Sequence, residues 1–460
     1  MSALLALALA ASSPADFGGI PNDGQPDNMA LQSCIDSSAS TGLPCEIPVG
    51  VWDVRSRAGD PGIGNPYQWA GLQIVANTHP VAIIGSGPAS VLRMVGDGHG
   101  ADFYLLGTWD ARDVRIAGLM LDGSGRTAGF AEQQHLVNLG YGTRRVLIER
   151  VVGVHPALAD SGGGDVIRLL GGYTPAELVE DVTIRDVVCL GADRSCLGFQ
   201  RGVHRVTVDN VLAIGTGDQD IDMEATGLIT DEERIRDVDI RRFVAIRADG
   251  GLSVSLGRGD RISMTDSTVL GGQVFLLSCR DCAIANSSII AGVGPDPAVG
   301  IRRASDRVRI TDSLISRAGG GGALVEVYAD SDGAPRSMRI EGNYLVQPGA
   351  GPAVRLTSVD GFRLDGNMMS AGANGGIAVD VSRGWGRVDG NDFVGGWLYA
   401  TAVGAPDGPV LWSGNLVRGA LYGLVCVDHW TQPLAFLGVV AVGNLSGETP
   451  NACPASVMVW

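Results

Sequence analysis

The chain has 460 residues, 45% of them hydrophobic and 18% charged, which is long enough for a large core or several domains. Its formal net charge of −16 argues against nucleic acid or an anionic membrane as partner, and its 34 basic residues are all arginine. The 68 glycines follow no three-residue period, which excludes a collagen-like chain; with only 5% aromatic residues, they point to short strands joined by many turns.

Residues 1–14 read as an export leader: Leu4 to Ala11 is apolar, and Ala8-Leu9-Ala10 has the small-x-small form of a processing site. A disordered leader is the alternative, and the run is too short to cross a membrane. Residues 15–55 differ in pattern from the rest of the chain and are expected to form an N-terminal cap and first strand. Within them, 27–39 suit one amphipathic helix with Ala30, Leu31, Cys34 and Ile35 on one face. Such a helix would cover the open end of a stack of strands. The eight cysteines fall in local pairs, Cys34/Cys45, Cys189/Cys196, Cys279/Cys282 and Cys426/Cys453, which suits an oxidising compartment, extracellular or periplasmic. Disulfide formation is the firmer expectation for Cys34–Cys45; buried thiols stay open for the rest.

Residues 56–431 are built on a repeat. "VTIRDVVCL" at 182, "VTVDNVLAI" at 206, "ISMTDSTVL" at 262, "VRITDSLIS" at 308 and "MRIEGNYLV" at 338 each pair two short strands across a polar corner. Asn343, Asn367, Asn391 and Asn415 recur at such corners with a spacing of 24 residues. A third short strand, such as "DVIRLLGG" or "DIDMEATG", sits between the units. Three strands per coil predict an all-β solenoid, a single-chain parallel β-helix, since one coil cannot bury its apolar face alone. A propeller blade would need about 40–50 residues. The asparagine column reads as structural, with stacked amides hydrogen-bonding from coil to coil. Residues 432–460 are expected to close the far end.

The opening "DFGG…NDGQPDN…ALQSCID…G…IPVGVWDV" resembles the start of pectate-lyase-superfamily (pectin-lyase-like) proteins. The resemblance covers about 40 residues closely and the coils loosely. It implies a right-handed parallel β-helix, usually extracellular and usually acting on polysaccharides. It does not name the reaction, because that fold hosts hydrolases, lyases, epimerases and tailspikes. The galacturonase branch matches weakly: Gln219 stands where a second Asp is expected, and Gly250-Gly251 lack the histidine.

The candidate site is "GTGDQDIDMEATG" at 215–227. Strand alternation predicts Ile221 and Met223 inward, aligned with Ile167 and Leu169, Leu197 and Phe199, and Val254 and Leu256. Asp220, Asp222 and Glu224 then face outward as candidate catalytic acids. Arg168, Arg194, Gln200, Arg201, Asp218, Ser253, Ser255 and Arg258 are the candidate substrate-binding residues around them. Coil spacing lengthens here through inserted loops such as "GVHPALADSGGGD", as a binding face would require. Outer residues two apart lie roughly 6.5–7 Å apart, within the ~6.5–9.5 Å that an inverting glycosidase needs between its carboxylates. The leading expectation is therefore an exported glycoside hydrolase, with no cofactor. One alternative is a polyuronate lyase or epimerase in which Asp220, Asp222 and Glu224 hold Ca²⁺. Another is a non-catalytic carbohydrate-binding, adhesive or tailspike-type β-helix. A solvated acidic strand remains the plainest reading.

Other features rank lower. His135 reads more readily as a turn or edge histidine, and His204 as a corner or groove residue. His155 sits in an inserted loop. Trp397, Tyr399, Trp412, Tyr422 and Trp430 suit packing better than sugar stacking. "GSGPAS" at 85–90 lacks the lysine of a phosphate loop, and Asn444 heads a possible glycosylation sequon.

Overall fold

The computed structural model describes residues 11–55, 70–95, 103–123, 134–155, 164–224, 230, 233–371, 379–381, 384–395, 397–401, 410–418, 422–427, 434–437, 440–442 and 458–459. It forms two compact units, Met1–Asp220 with Ala225–Arg234, and Ile221–Glu224 with Ile235–Trp460.

In the first unit the strands Ala70–Val75, Phe103–Trp109, Gln134–Leu139, Ile167–Leu169 and Ser195–Phe199 pair in parallel, one coil after the next. Val137, Ile167 and Leu197 share one register position, all fully buried, while Asn138, Arg168 and Gly198 share the next, facing outward. Between these strands run longer ones, Arg112–Asp122, Arg144–Val154, Val179–Leu190 and Val203–Ile214, also parallel and in register. The expected pair of short strands is thus one kinked strand here. The kink is a single left-handed residue at the same place in each coil: Gly118 (φ 62°), Arg150 (52°), Asp186 (54°) and Asn210 (54°). One such residue turns the chain while hydrogen bonding continues on both sides of it, and Asp and Asn tolerate that conformation better than most. Each of these coils adds one strand to the first sheet and one kinked strand to the second; in the second unit the kinked strand is divided into two short ones, as in Gly259–Thr265 and Thr268–Gly271. The fold is a parallel β-helix.

The helix spans Asn28–Thr41 and buries Ala30, Leu31, Cys34 and Ile35, the predicted face. Its polar side chains pair with the open edge of the first coil. Gln32 Nε2 donates to the Gln73 carbonyl (2.8 Å), and Gln32 Oε1 accepts from the Gln73 N–H (3.0 Å). Asn28 does the same for Arg55. An edge strand that would template aggregation is satisfied by amide groups instead.

The second unit repeats the plan, with Leu252–Gly257, Gln273–Leu277, Val299–Arg302, Val325–Tyr328 and Val354–Thr357 as one parallel sheet. Its corners carry a buried ladder. The backbone N–H groups of Ser267 and Ser287 donate to the hydroxyls of Ser287 and Ser313. Those of Ser313, Asn343, Asn367 and Asn391 donate to the side-chain carbonyls of Asn343, Asn367, Asn391 and Asn415. The asparagine column is structural, as its spacing suggested, and serine serves the same purpose earlier in the chain.

A second corner column is exposed and charged. In the first unit Asp113, Arg145, Asp181 and Arg205 follow one another, all with φ of 54–57°. Arg145 clasps Asp113 with two bonds (2.6 and 2.7 Å), and Arg205 clasps Asp181 likewise (2.6 and 3.0 Å). In the second unit Arg261 grips Asp237, and Arg307 grips Asp281, in the same way.

Disulfides join Cys34–Cys45, Cys189–Cys196 and Cys279–Cys282. The pair Cys426/Cys453, residues 1–10, Asn444 and the side chains of Trp397, Tyr399, Tyr422 and Trp430 lie outside the described residues; the last residues of the expected leader are described, with Ser12 in a β-bridge to Cys45 and Pro14 opening a short 3-10 helix, and Trp412 is core. No helix among the described residues is long and apolar enough to cross a membrane.

Candidate functional site

The strand Gln219–Met223 confirms the predicted register, with Ile221 opposite Val254 and Met223 opposite Leu256, all buried. The acids differ from expectation in exposure. Asp220, in the first unit, is fully buried, and Asp222, in the second, is 6% exposed. Alternation sets the face of a side chain but not what covers it. The Thr216 hydroxyl donates to Asp220 Oδ1 (2.7 Å), and Asp222 stands opposite the buried Ser255. Glu224 lies one residue past the strand and is exposed, so it is not a third outward rung. Ser253 is fully buried; Arg258 is half-buried at a left-handed corner (φ 49°). Asp218 is exposed in the turn whose N–H groups, at Asp218 and Gln219, donate to the Arg194 carbonyl.

The first unit gathers the other predicted residues around two that sequence reasoning ranks low or passes over. His135, fully buried in the strand Gln134–Leu139, meets Asp165, which enters the next strand of that sheet. Asp165 donates its backbone N–H to His135 Nδ1 (2.9 Å), and its Oδ2 lies 3.2 Å from the same nitrogen. Nδ1 thus faces both an N–H that donates to it and a carboxylate oxygen that accepts from it when it is protonated, so Asp165 holds the ring by its backbone or by its side chain according to the tautomer. Burial pushes His135 down to about 4, with Arg168 and Arg194 adding to the effect against Asp165. Burial works against the Asp165 carboxylate as well, but His135, Arg194 and Arg168 outweigh it, and its net shift is downward.

Tyr104 stacks on His135 with ring centroids 5.5 Å apart. Arg168, 6% exposed, donates from Nη1 to the Tyr104 hydroxyl (3.3 Å) and from Nη2 to Gln200 Oε1 (2.8 Å). Gln200 is not the register neighbour of Arg168; that is Gly198, and the Gln200 side chain reaches back from the strand end. Gly198 is needed there, because a β-carbon on it would sit 2.5 Å from Asp165 Oδ2. Arg194 Nε lies 3.9 Å from Asp165 Oδ1. Arg201, half-buried, stacks over the Tyr173 ring at 4.1 Å.

Around this cluster several buried polar atoms have no hydrogen-bond partner: Asp165 Oδ1, Asn138 Oδ1, Arg168 Nε, Ser195 Oγ and both amide atoms of Gln134. Buried polar groups are ordinarily satisfied, so such a concentration marks a place where water or ligand belongs. Among the described residues, Arg168 makes its hydrogen bonds only to neutral groups and has no carboxylate within salt-bridge distance. His204 is elsewhere, at a corner, with Nε2 3.1 Å from the Arg234 carbonyl and Nδ1 3.8 Å from Glu180. Exposed His155 lies against Gly191. Among the described residues no three His, Cys, Asp or Glu side chains are grouped to hold a metal ion.

Asp165 had one sequence signal: it ends the insertion "ADSGGGD" immediately before an apolar strand. Tyr104 and Asn138 carry no comparable mark.

No family model matches the chain, and no curated protein does. Among solved structures, the chain is similar to the A-module of the mannuronan C-5 epimerase AlgE4 of Azotobacter vinelandii. That match has 15% identity and a TM-score of 0.49, over 98% of this chain and 100% of that one. It is also similar to an exopolygalacturonase of Thermotoga maritima (12% identity, TM-score 0.39, 93% and 91% covered). A third is PfbA, a surface adhesin of Streptococcus pneumoniae (12%, 0.39, 94% and 91%). At these identities and TM-scores, each activity belongs to that protein alone.

Proposed function

We propose that the protein is an enzyme acting on an anionic polysaccharide, a polyuronate, by proton transfer at the carbon beside the sugar carboxylate. This is the lyase or epimerase class rather than simple hydrolysis. The observation that carries the reading is Arg168, a buried guanidinium with neutral hydrogen-bond partners and a spare Nε–H. A buried cation is costly without a counter-charge, and a substrate carboxylate would supply it with bidentate geometry. Neutralising that carboxylate stabilises the negative charge that develops when C5 loses its proton. In this reading Tyr104, ionised beside the Arg168 guanidinium, takes the C5 proton as phenolate and returns it as the phenol so formed, while the His135 ring stacks on Tyr104 and holds it in place. Asp165 positions the ring. In elimination the C4–O bond then breaks and the Tyr104 phenol protonates the departing oxygen; in epimerisation water on the opposite face of the sugar gives a proton to C5 and the Tyr104 phenol neutralises the hydroxide left behind. Half-buried Gln200 is where the cluster meets solvent. The three disulfides support an oxidising compartment, extracellular or periplasmic.

The test is a panel of polyuronates and neutral glucans, read by reducing ends, unsaturated-uronate absorbance and NMR of C5 configuration. Activity confined to polyuronates and lowered at least 100-fold by Arg168→Gln is expected. Hydrolysis of a neutral glucan that survives Arg168→Gln but is lost in Asp220→Asn, Asp222→Asn or Glu224→Gln would restore the glycosidase reading. Loss of activity in chelator, recovered with Ca²⁺, would support the metal role of those acids.

A further inference from the structure

The second unit holds an arginine in a different setting. Arg302 ends the strand Val299–Arg302, and its guanidinium carbon lies 4.5 Å from the ring centroid of Phe275, one coil earlier. It lies 4.5 Å from the ring of Tyr328, one coil later, as well. The guanidinium thus lies within cation–π distance of rings from the coil before and the coil after, which holds the group in place. Ile301 points inward and is buried, so alternation places Arg302 on the outer face.

Among the described residues its guanidinium makes no hydrogen bond, and its one ion-pair contact, to Glu326, is long. Arg302 Nε is buried without a hydrogen-bond partner, and the nearest carboxylate, Glu326, stands 3.8 Å from Nη2, beyond hydrogen-bond reach. Glu326 is engaged by Arg355 Nη1 at 3.0 Å. The side chain keeps 25% exposure, so solvent and solutes reach it. Beside it, Gly300 has no side chain, and the Phe275 ring fills that space: a β-carbon there would come 2.0 Å from the ring. Glycine at this position thus allows the Phe275 face that the guanidinium stacks on. Held by the two rings, the guanidinium stays at 3.8 Å from Glu326 rather than closing to a hydrogen bond, and keeps N–H groups on offer.

We infer that Arg302, clamped between Phe275 and Tyr328, is an oxyanion-binding site for an acidic saccharide, one bearing carboxylate or sulfate. The guanidinium fork pairs with two oxygens of one group, and the half-buried Tyr328 and Glu326 border the sugar that carries it. The inference rests on the polyuronate reading for the identity of the sugar, and not for the existence of the site.

The test is direct binding to the full chain, by calorimetry and by NMR, of a uronate oligosaccharide, its carboxyl-reduced neutral counterpart, a sulfated oligosaccharide and inorganic sulfate. Arg302→Gln is expected to weaken acidic-saccharide binding at least 10-fold, with Arg302→Lys recovering only part because it lacks the fork. Gly300→Val, which pushes Phe275 off the guanidinium, should weaken binding in the same direction, and thermal melts verify that the variants are folded. Equal affinity of the neutral counterpart, binding of inorganic sulfate alone, or folded Arg302→Gln binding as the native protein does would each overturn the proposal. Arg302-dependent binding with no turnover of any polyuronate would sink the enzyme reading and leave this site standing. Turnover with no Arg302 dependence in binding would do the reverse.

Discussion

Asn367 is the best place to measure what the corner ladder contributes. Its Oδ1 accepts from the backbone N–H of Asn343 (2.9 Å) and from Asn343 Nδ2 (3.0 Å). Its Nδ2 donates to the carbonyls of Ile340 (2.8 Å) and Asp365 (3.1 Å) and to Asn391 Oδ1 (2.9 Å). The residue is 1% exposed, so water does not replace what is removed. Asn367→Ala leaves the Asn343 N–H with no acceptor, a buried orphan costing about 1–3 kcal/mol. The other bonds lose about 1 kcal/mol each where their partners retain a second bond, as Asn391 Oδ1 does with the Asn367 N–H. The expected loss is about 3–5 kcal/mol in urea unfolding. Asn367→Ser supplies an internal control. Ser313 already accepts the Ser287 N–H through its hydroxyl, at 3.1 Å. Serine at 367 should keep the Asn343 N–H satisfied and recover about 1–2 kcal/mol relative to alanine. Hydrogen exchange would report the same loss at the Asn343 amide. A cost under about 1 kcal/mol for the alanine variant, or no difference between alanine and serine, would refute the ladder argument.

Acid titration should expose His135. Its folded value near 4 lies below the ordinary 6.5, so between those values the unfolded chain binds the proton and the native protein does not. Stability therefore falls as pH drops through that window, by an amount on the order of 3 kcal/mol, and His135→Gln should flatten the slope; an unchanged slope contradicts a neutral His135. Asp165, shifted downward, adds its own loss only at still lower pH. Gly198→Ala should displace the Asp165 carboxylate, 2.5 Å from the new methyl, and lower turnover at least 10-fold with substrate binding less affected; full activity would mean Asp165 does not position His135. Replacing Cys189 and Cys196 by serine opens a loop of sequence separation 7 and should cost about 2 kcal/mol in urea unfolding. An unchanged unfolding midpoint would show that the bridge does not constrain the unfolded chain.

The coil pattern was legible because each strand carries its own evidence. Ile221 and Met223 alternate with polar residues, and the same spacing recurs at Val254 and Leu256, so the observed register follows from period two alone. The asparagine column and the Asn28–Thr41 helix were legible for the same reason: spacing and amphipathic face are local properties. The His135–Asp165 contact was not, because it joins residues 30 apart in sequence across an insertion. Nor was the burial of Asp220 and Asp222, which depends on what lies over the outer face rather than on which face they occupy. Alternation puts Arg168 on the outer face, yet its bond to Gln200 arises from side-chain reach, which register does not encode.

The alternating Asp and Arg corners have a consequence for how such a chain finds its partners. Coils that share one shape are nearly interchangeable, and a strand that docks one coil early would bury much the same valines and isoleucines. In the first unit the order Asp113, Arg145, Asp181, Arg205 works as a parity check on that mistake. A displacement by a single coil sets aspartate against aspartate and arginine against arginine along the whole column, whereas the correct pairing matches every neighbour. The same check operates again in the second unit through Asp237, Arg261, Asp281 and Arg307. The code, carried in each unit, also makes any other chain with the same corners a poor partner unless it arrives in the matching phase, which is protection against cross-chain stacking carried by exposed residues that contribute nothing to the core.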